Sequence, residues 1–263
     1  MECIAVDWSG ALSGAAARIW IARASAGALT SVIAPGSRQA VRDFLLARRR
    51  DDAPALVGLD FAFGLPLWYV EANGWPSIDA VWRAARDDGE SWLRDCPPPF
   101  WGKPGVRRPH DAADGLRNTD MLSSPIAPKS VFQIGGAGSV GTGSVRGMPM
   151  LHELRQAGWA IWPFDAQSSH TIAEIYPRVF TGPVVKKQQA ARAAWLARHG
   201  DEGISARDMQ TMIGSEDAFD AGASALVLMR HFAAAPLPVV TDPVRLREGQ
   251  ILLPPPAIAQ CNA

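Results

Sequence analysis

The stretch Leu56-Val57-Gly58-Leu59-Asp60-Phe61-Ala62-Phe63 decides the fold, because a single carboxylate interrupts an otherwise unbroken apolar run. From Ala55 to Phe63 the chain reads as a central strand covered on both faces, since no alternating solvent side is visible. An unpaired carboxylate in a buried strand costs several kcal/mol unless a cation or a set of donors meets it. A metal site is the economical explanation of Asp60. Upstream, Ser37 is placed to cap a helix with Val41, Phe44 and Leu45 on one face and Arg48-Arg49-Arg50 in its last turn. Before that helix lie three β-suited runs, Cys3 to Asp7, Ala17 to Ala24 and Leu29 to Ala34. The last two are separated by the turn pair Ala26-Gly27. The order is therefore strand, strand, strand, helix, strand.

The 263 residues are 48% apolar and 20% charged, the composition of an ordinary globular α/β chain with enough length for a core. Twenty-six basic residues balance 26 acidic ones, so no global field draws the protein to nucleic acid or to an anionic membrane, and any polyanion contact is local. The three cysteines, Cys3, Cys96 and Cys261, are far apart, which supports neither a disulfide framework nor a zinc site and fits a reducing cytoplasm. No run reaches the length that spans a bilayer, and no basic, apolar leader opens the chain, so a cytoplasmic protein without membrane contact is expected.

Downstream of Pro66 the composition shifts. Trp68, Trp75, Trp82, Trp92 and Trp101 and many prolines crowd the region to about Pro128. We read 1–263 as one domain carrying an insertion at about 68–128, packed over the edge of the active site, with Ile78, Val81, Trp82 and Ala85 on one helix face. A glycine-rich loop (Gly135 to Gly147) then leads into a helix from Met148 to Ala157, with short strands at Trp159–Phe164 and Thr171–Tyr176. Helices follow at Lys186–Arg198, Ala206–Met212 and Ser215 to about Ala234.

The acids fall at telling places. Asp7 ends the first strand, and Asp217 and Asp220 lie three apart at the start of the last long helix. Glu174 sits on a late strand in Glu174-Ile175-Tyr176-Pro177. Bland roles exist for several of them: an Asx turn for Asp7, helix-dipole compensation for Asp217, and a solvent-facing strand position for Glu174. The strand order, however, is that with which the ribonuclease H-like fold begins, and in that fold the first and fourth strands are neighbours. The segments Val6-Asp7-Trp8-Ser9-Gly10, Gly58-Leu59-Asp60-Phe61-Ala62-Phe63-Gly64-Leu65-Pro66, Glu174-Ile175-Tyr176-Pro177 and Glu216-Asp217-Ala218-Phe219-Asp220-Ala221 resemble those of domain-of-unknown-function family 429, described as predicted ribonuclease H-like nucleases. The resemblance implies a nucleic acid substrate and catalytic roles for Asp7, Asp60, Asp217, Asp220 and Glu174. Asp217-x-x-Asp220 is also similar to the final-helix pair of Holliday-junction resolvases, and with that likeness the resemblance implies two Mg²⁺ or Mn²⁺ ions held by Asp7, Asp60 and one or both of Asp217 and Asp220. Asp60 departs from the pattern, since many nucleases of this fold carry the longer Glu there.

For the substrate phosphate, the candidates are Lys129, Arg117 and Arg178 with the backbone of Gly141, Thr142 and Gly143; Arg146 lies nearby in sequence. Lys186-Lys187 and Arg48-Arg49-Arg50 are expected to decorate exposed helix ends. The five histidines, His110, His152, His170, His199 and His231, have no ligand spacing. Two other readings compete with the metal-dependent nuclease. One is an actin-like or sugar-kinase-type phosphotransferase or ATPase, in which Asp7-Trp8-Ser9-Gly10 and the glycine loop embrace phosphates; such enzymes duplicate the core. The other is a noncatalytic binding module whose contact surface is the exposed aromatics of the insertion.

Overall fold

A computed structural model describes residues 1–108, 115–122, 129–200 and 203–255, so Pro109, His110, Cys261 and the C-terminal boundary of the expected insertion lie outside the described residues. Among the described residues, six strands and ten α-helices build a mixed α/β fold around one sheet of order β3-β2-β1-β4-β6-β5. Strands β1 (Glu2–Asp7), β2 (Trp20–Ser25) and β3 (Ala28–Ile33) form an antiparallel meander. Its tight turn is Ala26-Gly27, both with positive φ (51° and 85°), the backbone that a two-residue hairpin loop requires. Helix α1 (Arg38–Arg48) crosses over; the Ser37 hydroxyl caps it by accepting from the Ala40 N–H at 3.0 Å. Strand β4 (Ala55–Leu59) then returns parallel to β1, the neighbour relation that the strand order led us to expect. The parallel half is completed by β5 (Ala160–Trp162) and β6 (His170–Glu174), with β6 between β4 and β5.

Side-chain alternation divides the core in two. Ile4, Val6, Val57 and Leu59 belong to a cluster under α1, α3 (Ile78–Asp95) and α5 (Gly141–Gln156). Cys3, Ala5, Leu56 and Ala173 belong to the opposite cluster, under α7 (Gln189–His199), α8 (Ala206–Gly214) and α9 (Glu216–Phe232). Gly58 faces this second side. A β-carbon there would meet Ile175 and the α9 residue Leu228 within 3 Å, so helix and strand touch closely.

Three expectations need correction. The helix expected from Met148 begins at Gly141, so Gly141, Thr142 and Gly143 are its first turn and not a loop. A β-carbon on Gly141 would lie 2.2 Å from the Val131 carbonyl oxygen, which shows how tightly the helix start is seated. Nor do the aromatics of the region from Trp68 form an exposed contact surface for the most part. Helix α2 (Leu67–Ala72), α3 and α4 (Asn118–Leu122) lie within it, and Trp82, Trp92 and Phe100 join the same buried cluster as Val6 and Leu59. Buried Trp82 donates its indole N–H to the Phe63 carbonyl at 2.7 Å. The aromatic side chains thus serve packing more than an exposed contact surface, although Trp68 remains 43% exposed. Finally, Lys186 lies in the loop between α6 (Pro177–Thr181) and α7, because Pro183 and the turn around Val184 delay the helix until Gln189. A last short helix, α10 (Arg245–Glu248), and the Ile251 bridge to Glu174 close the sheet edge.

Candidate active site

The register of β1 and β4 brings two acids together. Val6 pairs with Leu59, and the ladder continues one step further through the Asp60 N–H, which donates to the Val6 carbonyl at 3.1 Å. Asp60 therefore stands beside Asp7. Both follow the alternation of Cys3, Ala5, Leu56 and Gly58, which places them on the α9 side of the sheet. Helix α9 starts at this edge. Its cap is the Ser215 hydroxyl, accepting from the Ala218 N–H at 3.2 Å, and the three-residue spacing puts Asp217 and Asp220 on one face of its first turns.

Electrostatics confirm that these groups share one environment. Asp7 is 8% exposed; burial pushes its carboxyl well above the ordinary range, and the negative charges of Asp60, Asp220 and Asp217 push it further. Burial and then Asp220 raise Asp60 from 3.8 to about 8. Asp220 is raised by burial against the opposing pull of Lys186, and half-buried Asp217 by burial and by Glu216. Tyr176, at the same edge, has its phenol raised by burial and then by Asp60.

Lys186 was missed in the sequence as a site residue. Its ammonium forms an ion pair with Asp220 Oδ2, and the fields of Asp60 and Asp7 add to that of Asp220; together they outweigh burial and hold its proton more firmly than usual. The one sequence signal was Pro183, which argues against a helix at Lys186.

No group of three His, Cys, Asp or Glu side chains among the described residues converges as metal ligands. The donor chemistry nevertheless fits a hard divalent cation. Neither Asp7 nor Asp60 makes a hydrogen bond or ion pair through its carboxylate with a described residue, and Asp220 Oδ1 is buried with no partner. Carboxylate oxygens without His or Cys suit Mg²⁺ or Mn²⁺.

Glu174 and Arg117 border the same cavity as Asp60, and the charge of Glu174 adds to the field on Asp60, but the two are tied into an ion network of their own. In register Glu174 pairs with Leu59, which puts its side chain on the opposite face of the sheet, where it is 3% exposed. There Arg117, equally buried, donates to both its oxygens at 2.6 and 2.8 Å and to Asp120 at 2.8 Å, while the Phe63 N–H donates to Glu174 Oε2 at 2.9 Å. In this internal ion network the oxygens of Glu174 and the guanidinium of Arg117 are engaged with each other and with Asp120, at the wall of that cavity.

A cavity of about 440 Å³ opens beside the acids, lined among others by Trp8, Ser9, Asp60, Lys129, Thr142 and Tyr176. Gly10 is pressed against the start of α5, where a β-carbon would meet the Thr142 and Gly143 backbone at 2.4 Å, so the loop after β1 and the first turn of α5 form one wall. Thr142 and Gly143 border the cavity. Gly141 does not; its N–H is used by the Gln133 carbonyl. Arg178 donates to the Val184 carbonyl outside the cavity lining, and Arg146 is engaged by Glu90 at 2.7 Å and by the Gly10 carbonyl.

No family model, curated protein or solved structure matches the chain. No helix among the described residues is long and apolar enough to cross a membrane.

Proposed function

We propose that the protein is a metal-dependent phosphodiesterase with a ribonuclease H-like core, acting on nucleic acid. The observation that carries this reading is the side-by-side placement of Asp7 and Asp60 at the carboxyl ends of parallel neighbours, with Asp220 supplied by α9. The meander followed by a parallel fourth strand supports it. Asp7, Asp60 and Asp220 would hold Mg²⁺ or Mn²⁺, with Asp217 beside them. The ion would acidify a bound water and stabilise charge developing on the phosphoryl oxygens. The chain itself contributes fixed positions, since Asp7 and Asp60 ride on central strands and Asp220 on a core helix. Ionisation of Asp60, disfavoured by burial, is restored when a cation enters. The cavity beside Asp60 has the size of an ordinary small-ligand pocket, room for one nucleotide-sized group, with Lys129 and the start of α5 facing its phosphate. Zero net charge fits local engagement of a small or structured substrate rather than tight nonspecific duplex binding. Buried, unpaired Cys3 and Cys96 fit a reducing, cytoplasmic setting.

The test is cleavage of labelled single-stranded, duplex and branched nucleic acids with Mn²⁺, using the wild type and Asp60→Asn. Cleavage by the wild type alone is expected, and no cleavage of any substrate would overturn the reading. A second reading, phosphoryl transfer from a nucleotide, draws on the close approach of Gly10 to Thr142 and Gly143, which sets the loop after β1 against the first turn of α5 as a candidate phosphate cradle. Stabilisation by ATP exceeding that by Mn²⁺ alone would favour it.

A further inference from the structure

Lys186 is held in the acid cluster by more than its own ion pair. The guanidinium of Arg192, 3% exposed, donates to the Lys186 carbonyl and also, at 2.9 Å, to the Ile213 carbonyl at the end of α8. The same loop is braced by Arg178 on the Val184 carbonyl and by the Lys186 N–H on that carbonyl at 3.0 Å. A long lysine side chain is normally mobile and solvated; here its root is anchored to two helices and its tip meets Asp220. Asp220 is only 7% exposed, and its other oxygen, Oδ1, is buried without a partner.

From this arrangement we infer that Lys186 is a built-in cation of the site, so that the substrate-free protein takes one divalent ion where four aspartates would otherwise invite two. The inference rests on the metal-centre reading given above. Two ions held close together require carboxylate oxygens that serve both, and Lys186 already occupies Asp220 Oδ2, leaving Oδ1 with Asp7 and Asp60 for a single ion. Charge points the same way before substrate arrives. One divalent ion with the ammonium sets three positive charges against the carboxylates of Asp7, Asp60, Asp217 and Asp220, whereas two ions would leave the buried cluster with a positive excess. Lys186 is thus a positioning residue. It fixes one oxygen of Asp220 and the number of ions, and the arriving phosphate meets an ammonium where a second metal would have stood.

The experiment counts Mn²⁺ bound per chain by equilibrium dialysis of the substrate-free protein, for the wild type, Lys186→Met and Lys186→Arg. One ion is expected in the wild type and in Lys186→Arg, and two in Lys186→Met, where Asp220 regains both oxygens. Two ions in the wild type would overturn this inference alone and leave the metal-centre reading standing. One ion in Lys186→Met, bound more tightly than in the wild type, would also overturn it, by making Lys186 a counter-ion that the metal merely displaces. No bound Mn²⁺ in the wild type would remove both readings together. If Lys186→Met does not fold, as judged by circular dichroism, the wild-type count decides.

Discussion

Asp60 stands across from Asp7 one step beyond the last regular pair of β1 and β4, held there by the bond from its own N–H to the Val6 carbonyl at 3.1 Å. Two neighbouring carboxylates without donors repel each other, so the metal-free fold carries this pair at a cost. Asp60→Asn is therefore expected to raise the melting temperature of the metal-free protein by at least about 2 °C, the shift that ~1 kcal/mol produces in a chain of this size. Stabilisation of the variant by millimolar Mn²⁺ should be smaller than that of the wild type. A thermal melt of both proteins, with and without Mn²⁺, checks this; a variant that melts lower than the wild type without metal would refute it.

The same repulsion sets a pH dependence. Asp60 titrates at about 8 in the folded chain against an ordinary value of 3.8, so folding favours its protonated form. That contribution is fully present below the unfolded value and is lost as pH rises through the folded one. Without metal, the stability of the wild type relative to Asp60→Asn should fall between about pH 4 and pH 8. Saturating Mn²⁺ should flatten the difference. Urea titrations at intervals across that range measure it.

Glu174 makes the opposite prediction from an acid that lies close by in the sheet. Its carboxylate is paired on both oxygens with buried Arg117, so Glu174→Gln leaves Arg117 with Asp120 as its one charged partner and should cost about 1–3 kcal/mol. The number of bound Mn²⁺ ions should not change. A Glu174→Gln protein as stable as the wild type would contradict the network described here.

Trp82 tests whether the region from Trp68 can be spared. Its ring is fully buried and its N–H is bonded to Phe63, directly after β4, so Trp82→Ala should cost about 3–5 kcal/mol. Chemical unfolding should remain a single transition in the wild type, since the aromatics of this region share the core of the sheet. A separate, early transition for the region would show that it folds as an appendage.

Much of this architecture could be read from period-two alternation. Cys3 to Asp7 and Leu56 to Asp60 have the same parity, and once the strands are neighbours their acids share a face. The burial of Glu174 was not legible, because a five-residue strand buried on both faces shows no alternation by which to tell a solvent-facing side. Its partner, Arg117, lies 57 residues away in sequence, beyond any local pattern. Lys186 was invisible for a related reason: its role comes from a loop fixed by Arg192, and no spacing in the sequence reports a side chain that grips a carbonyl six residues earlier. The early start of α5 was hidden by glycine, which reads as loop yet here allows the helix to seat against Val131.

The acids and the ammonium are mounted on unequal foundations. Asp7 and Asp60 belong to the two innermost strands, and Asp220 to a helix whose next residues, Ala221 and Ala223, are sealed against the sheet, so none of the three can be relocated without unpacking the centre of the protein. Lys186 projects from a loop whose scaffold is supplied by other residues, and its side chain can be exchanged while that scaffold stays intact. A substitution at position 186 therefore changes the charge of the cluster from its periphery and leaves the packed centre in place.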